Sequence, residues 1–431
     1  MRDMFLIRNP RKIKGGRKMF KKYVAVLLSG LMLVSAVSLT GCGSDSKESD
    51  SKADTKTEDS SGGGDNLAES KDLLAKAIEE LKTTDNHPLL EEGTTFDVPE
   101  AKGDAEELEK LDDSDINKWH YYEYLDWDDS NDAKFPESPA DGQKGKHVIV
   151  IVHGAHAWTT CYQEAFEEAC EAVGMTCDVY DPNWDQSTQD GYVDQAINES
   201  PDAIVVIPVS ADHAGQQFKK ITKAGIPAFC SNTLPEADAM NNILAYTGPN
   251  DWYQMRNLAS KLGEELGGKG GVCYITHNVG TSPYYARTFG PMSTLAEEYP
   301  DIKSLDVQSP GFEASAVKQV VSDWITKYGD DLNAIVLADD SDQAIGATEA
   351  CKAAGREDII IVAAGISKQG AELIQSGQLK YASYQSCQAD AGLVVRTMSE
   401  YFNGEEIPRV AYIGTDIISA DNVEDFLPCQ W

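Results

Sequence analysis

From His147 onward the chain alternates short, unbroken apolar runs with longer stretches of helical periodicity. Val148 to Val152 is wholly apolar, too short for a helix and typical of a parallel strand covered on both faces. A polar and aromatic loop, residues 153–160, follows it. Beyond the loop Ala165, Phe166, Ala169 and Val173 recur at helical spacing, and Gly174 stands where a helix C-terminus favours glycine. Strand, loop and helix make the first unit of a doubly wound α/β domain, in which ligands bind outside the carboxyl ends of the strands. The loop 153–160 is therefore the first place to expect a ligand.

The alternation continues. Strands are expected at 175–180, 203–207, 227–231 and 243–246, with helices at 187–199 and 211–224. A second series expects helices at 252–266, 284–299, 314–328, 342–354, 368–376 and 390–403. Between them lie strands at 271–276, 303–308, 334–337, 359–363 and 379–384, and short strands at 410–413 and 416–418 close the chain. Alternating elements of this kind imply parallel sheets with right-handed crossovers, and the strand count suits two sheets of about five better than one wide sheet. Upstream, residues 66–83 read as an amphipathic helix carrying Leu67, Leu74, Ala77, Ile78 and Leu81 on one side. Residues 85–145 are acidic and turn-rich, with Trp119, Tyr121, Tyr122, Tyr124 and Trp127 clustered. Short aromatic runs usually bury their rings, so a strap packed on the domain behind it is expected over an exposed binding surface.

The first residues read as a targeting segment, separate from the fold. Lys21 and Lys22 precede an apolar run that ends in Leu39-Thr40-Gly41-Cys42. A basic start, an apolar middle and small residues before a cysteine resemble a bacterial lipoprotein signal, with Cys42 as the lipidated residue. The run is short for crossing about 30 Å of hydrocarbon. Residues 1–41 are thus expected as the signal and 42–65, nearly free of apolar residues, as a disordered acidic tether. The mature protein is expected outside the cytoplasm, held on the outer face of the cell membrane by its lipid.

Charge and cysteines narrow the choice. A net charge of −34 argues against a nucleic-acid partner, which needs a basic face. Nine cysteines in 431 residues do not make a disulfide scaffold. Cys161, Cys170, Cys177, Cys230, Cys273, Cys351 and Cys387 mostly fall in apolar runs or helical patterns and are expected as small core residues.

Catalytic chemistry finds little support. Val152-His153-Gly154 after a strand would suit the oxyanion loop of an α/β-hydrolase, but no Gly-x-Ser-x-Gly elbow exists and no histidine follows His277. His153 and His156 lack a third ligand at metal spacing. Neither a Gly-x-Gly-x-x-Gly nor a Walker-type loop is present. In Asp339-Asp340-Ser341-Asp342 one carboxylate is expected to meet a ligand hydroxyl and another to cap the next helix. No enzymatic activity, cofactor or metal is expected.

One family gathers the remaining landmarks. Ile204-Val-Val-Ile-Pro-Val-Ser, Ala224-Gly-Ile-Pro, Arg287-x-x-Gly290, the run Ala338 to Ala347, Gly377-Gln-Leu and Gly404-Glu-Glu-Ile-Pro, in this order, resemble the ribose/galactose-type (type I) periplasmic sugar-binding proteins of ABC importers. The resemblance covers residues 146 to about 426. It implies two Rossmann-like lobes with parallel sheets, joined by three crossings, with a sugar or polyol held between them for delivery to the importer permease. Residues 146–246 and 386–412 would form the first lobe, and 247–385 and 413–431 the second, in a monomer. Position by position, it implies ligand contacts from His156, Trp158, Asn232, Arg287, Phe312, Asp340 and Gln385. The chain departs from the pattern at Ser367, where an Asp is usual, at Thr233, where an Arg is frequent, and in the loop 153–160, which lacks Asn-Pro-aromatic. A sensor that feeds a chemoreceptor or kinase, or a receptor for a nucleoside, autoinducer or amino-acid-like ligand, would use the same architecture.

Overall fold

A computed structural model describes residues 62–81, 89–95, 104–108, 110–112, 115–119 and 135–431. The signal segment, Cys42, most of the tether, and Tyr121, Tyr122, Tyr124 and Trp127 lie outside the described residues.

Two six-stranded sheets organise the chain, each layered between helices. The first runs β11-β5-β4-β3-β1-β2 and is parallel throughout. Its strands are β1 (His147–Ile151), β2 (Thr176–Tyr180), β3 (Ala203–Val206), β4 (Ala228–Ser231), β5 (Ala245–Gly248) and β11 (Val410–Tyr412). The second runs β12-β10-β9-β8-β6-β7 and is parallel except for β12 on β10. It is built from β6 (Lys269–Ile275), β7 (Asp301–Gln308), β8 (Ala334–Leu337), β9 (Ile360–Ala364), β10 (Tyr381–Ser383) and β12 (Ile417–Ile418). Each sheet has one strand more than expected, because the last two short strands are shared between them, one to each.

The unbroken apolar runs have a direct cause. In β1 and just after it, Val148, Val150 and Val152 pack into one core cluster while Ile149 and Ile151 pack into the cluster on the opposite face. In β8, Ile335 and Leu337 face one way and Ala334 and Val336 the other. Every side chain of such a strand leaves water, which is why alternation with polar residues is absent.

The helices of the first lobe are α4 (Ala157–Ala172), α5 (Gln186–Glu199), α6 (Ala211–Lys223) and α12 (Cys387–Phe402). Those of the second are α7 (Asp251–Glu265), α8 (Ser282–Glu298), α9 (Ala314–Tyr328), α10 (Asp342–Ala354) and α11 (Lys368–Gln375). The chain passes between the lobes three times: from β5 to α7, from β10 to α12, and from β11 to β12. This is the type I periplasmic binding protein fold.

Cys161 and Cys387 lie in the core of the first lobe, as expected, and are also paired. They form a disulfide, with Cα atoms 6.1 Å apart, across the contact between α4 and α12. Sequence spacing could not reveal it, since 226 positions separate them. The remaining cysteines among the described residues are free.

The N-terminal extension is anchored at several points. Helix α1 (Gly62–Leu81) starts four residues earlier than the periodicity suggests, inside the stretch expected as tether, and buries Leu74 and Ala77 against the first lobe. Gln143 Nε2 donates to Ser70 O at 2.8 Å and ties the segment before β1 to that helix. Further on, Thr94 exchanges two backbone hydrogen bonds with Tyr412, each 2.7 Å, beside the outermost strand of the first sheet. Leu89 and Leu90 are buried beside α12, where Gly392 leaves room for the Leu89 carbonyl; a Cβ there would lie 1.3 Å from it. Two short helices follow, α2 (Ala105–Leu108) and α3 (Ile116–Trp119). Trp119 is buried and stacks on Phe289 of α8, ring centroids 3.9 Å apart.

Candidate functional site

The carboxyl ends of the two sheets face each other across a cleft lined by residues of both lobes. From the first lobe, the loop after β1 brings His153 and His156, the first turn of α4 brings Trp158, the turn after β2 brings Trp184, and the end of β4 brings Asn232 and Thr233. From the second come His277 after β6, Arg287 on α8, Phe312 ahead of α9, Asp339 after β8, and Ala364 and Gly365 at the end of β9. Gln385 enters from the second crossing, and Trp431 from the tail.

Asn232 is held on every side. Its backbone adopts a left-handed conformation, φ 59°, which asparagine tolerates better than most residues. Its carbonyl accepts from Tyr246 Oη at 2.7 Å, and its Nδ2 donates to Asp390 Oδ2 at 2.8 Å. Ser231 Oγ donates to the other oxygen of Asp390 at 3.2 Å and accepts from Tyr162 Oη at 2.8 Å. Burial pushes the Asp390 carboxyl up to about 8, against the two donated hydrogen bonds.

Arg287 is equally fixed. It is buried and its Nε donates to Asp251 Oδ1 at 2.8 Å, Nη1 to the Ala338 carbonyl at 2.9 Å and Nη2 to Gln385 Oε1 at 2.7 Å. The guanidinium therefore joins α7, the end of β8 and the second crossing. Burial raises the Asp251 carboxyl, and the charge of Arg287 pulls it back.

The two neighbouring aspartates divide as strand geometry requires, since successive side chains at a strand end point in opposite directions. Asp339 reaches the cleft and accepts from the Ser341 N–H at 2.9 Å and from the Ser341 hydroxyl. Asp340, which the family resemblance implies as a ligand contact, does not line the cleft. It is fully buried behind it, and its Oδ2 accepts from the Ser367 N–H at 2.8 Å. Burial, and next the Asp339 charge, push its carboxyl well up. Ser367 is likewise turned away: its hydroxyl accepts from the Gly370 N–H at 2.9 Å and caps α11.

His153 and His277 are held neutral by their surroundings. Burial, then the neighbouring His156, lowers His153 to about 3. His277 lies well below its ordinary value through burial and the positive charge of Arg287. A neutral imidazole offers one donor and one acceptor, which matches a hydroxyl group. His156 Nδ1 accepts from the Trp158 N–H at 3.2 Å and caps α4. Trp158 Nε1 is buried with no acceptor in the protein. Among the described residues, no group of three or more His, Cys, Asp or Glu is placed to hold a metal ion.

Of the residues implied by resemblance, His156, Trp158, Asn232, Arg287, Phe312 and Gln385 meet at the cleft, and Asp340 stands behind it. Sequence reasoning missed Trp184, His277 and Trp431 as cleft residues, and Asp251 and Asp390 as the groups that hold Arg287 and Asn232. Trp184 and His277 follow the ends of β2 and β6, a position that marks them; Trp431 carried no such signal.

Two α/β lobes, three crossings and one cleft at the facing strand ends define a type I binding protein. Residues 147–406 match the model of the family described as periplasmic binding protein domain, more than half of the chain, and the chain belongs to that family. It is 28% identical over 280 residues to a xylitol-binding protein of Mycolicibacterium smegmatis, covering 65% of this chain and 78% of that protein. It is similar to an ABC transporter solute binding protein of Bacillus halodurans solved with myo-inositol: TM-score 0.61, 22% identity, 67% of this chain and 99% of the other. A periplasmic solute binding protein of Actinobacillus succinogenes solved with D-allose gives TM-score 0.60 and 22% identity, over 65% of this chain and 99% of that one.

Proposed function

We propose that this chain is an extracytoplasmic receptor that closes its two lobes on a sugar or polyol and hands it to the permease of an ABC importer. The observation that carries the reading is the composition of the cleft. Aromatic faces suit the apolar C–H surface of a carbohydrate, while the neutral imidazoles of His153 and His277 and the fixed planar groups of Asn232, Arg287 and Gln385 suit hydroxyls. Groups from both lobes converge, so a ligand that bridges them favours the closed population by its differential affinity. The relatives that bind xylitol, myo-inositol and D-allose support the ligand class. The protein is a binder with no turnover of its own, and it sits on the outer membrane face through a lipid at Cys42, the reading its first residues support.

The test is a thermal-shift panel of xylitol, myo-inositol, D-allose and fructose beside nucleosides and amino acids. A ligand at a hundred times its Kd adds about 2.7 kcal/mol to stability, a plainly visible rise in Tm. A shift with carbohydrates alone is expected. A shift confined to a nucleoside or an amino acid would overturn the ligand class and leave the fold untouched.

A further inference from the structure

The last five residues reach the cleft by a path that touches both lobes. Leu427 and Cys429 pack against the core of the second lobe. Gln430 turns to the first: its Oε1 accepts from the Ser386 hydroxyl at 2.9 Å and from the Gln388 N–H at 3.2 Å, at the start of α12. The Trp431 carbonyl returns to the second lobe and accepts from the Lys368 N–H at 2.7 Å, at the start of α11. With its backbone held there, the Trp431 indole packs beside the core of the first lobe and forms part of the cleft wall.

The surroundings of the indole are built for it. Gly365 leaves it room; a Cβ at that position would lie 3.3 Å from Trp431 Cζ2 and 2.9 Å from Asp340 Oδ1, on a backbone with φ 97°. The His156 ring centroid lies 5.5 Å from that of Trp431 and 6.0 Å from that of Phe312. We propose that Trp431 is a ligand-stacking residue that sets specificity for ring-form ligands, and that Gln430 is the positioning residue that holds it over the cleft. The inference rests on the carbohydrate reading of the cleft. A cyclic sugar or inositol presents a rigid C–H face to an indole, whereas an open-chain polyol has no such fixed face.

Trp431→Ala, Trp431→Phe and Gln430→Ala are compared with wild type by calorimetric titration of myo-inositol, D-allose and xylitol, with the Tm of each unliganded protein as the control for folding. Trp431→Ala is expected to weaken the ring-form ligands about tenfold or more and xylitol much less. Trp431→Phe should recover part of the loss, and Gln430→Ala should shift affinities in the same order. Affinities unchanged within about twofold in Trp431→Ala while wild type binds would overturn the role of Trp431 alone. Binding by Trp431→Ala where wild type binds nothing would make the indole a plug and also overturn it. Silence of every protein toward all three probes would overturn this inference and the carbohydrate reading together.

Discussion

Arg287 Nε and Asp251 Oδ1 meet at 2.8 Å between α8 and α7; both side chains are buried, and Arg287 lines the cleft. The guanidinium is therefore part of the structural frame of the cleft. Arg287→Ala leaves the Asp251 carboxylate buried and unpaired, at a cost of about 3–5 kcal/mol. Arg287→Ala/Asp251→Asn removes that charge and is expected to regain much of the stability without regaining ligand affinity. Urea denaturation and titration calorimetry separate the two effects. A double variant no more stable than the single one would show that Asp251 is not the partner that matters.

Asp339 and Asp340 are adjacent, and the consequences of removing each should differ. Asp339→Ala is expected to weaken ligand binding about tenfold or more with little change in Tm. Asp340→Ala takes the acceptor from the Ser367 N–H inside the protein and should destabilise by about 1–3 kcal/mol, with Kd within about twofold of wild type. The reverse pattern would place Asp340 in the cleft and Asp339 outside it.

Asp390 gives the protein a titration above the usual carboxylate range. Its ordinary value of 3.8 rises to about 8 on burial, so between these values the folded protein holds a proton that the unfolded chain releases. Stability then falls as pH rises through that window, and the penalty is complete above about pH 8, with a limiting slope of about 1.4 kcal/mol per pH unit. Asp390→Asn lacks the carboxyl, so its stability should gain on wild type steadily from pH 5 to pH 8. Denaturation curves at each pH check this; a constant difference between the proteins would refute it.

The Cys161–Cys387 bond spans 226 positions and fastens the helix that carries Trp158 to the helix that follows the second crossing. Its loss, by reduction or in Cys161→Ala/Cys387→Ala, is expected to lower stability by about 2–4 kcal/mol. The wild type should be sensitive to reductant in a denaturation titration and the double variant should not. Equal sensitivity in both would assign the effect to other cysteines.

Much of the framework could be read from the residues because the forces that set it are local. Val148 to Val152 announces a strand buried on two faces, and the loop after it does reach the cleft. Phe312 and Gln385, which only the family resemblance implies, also enter the cleft. What escaped reading depends on how distant elements meet. The choice between Asp339 and Asp340 turns on a single step of strand alternation at an end that sequence places only within a residue or two. The Cys161–Cys387 pairing needs the α4–α12 contact, and the arrival of Trp431 needs the path of the whole tail between two lobes.

The two backbone hydrogen bonds between Thr94 and Tyr412 close the edge of the first sheet. Strand β11 is the outermost of its sheet, short and apolar, and a bare edge of that kind pairs readily with another chain. Thr94 occupies the hydrogen-bonding groups of Tyr412, and the Glu91 carboxylate beside it accepts from the Gly414 N–H at 3.1 Å, setting a charge at the rim. The segment upstream of the lobes thus caps that edge, and a protein trimmed to the lobes alone would leave it bare.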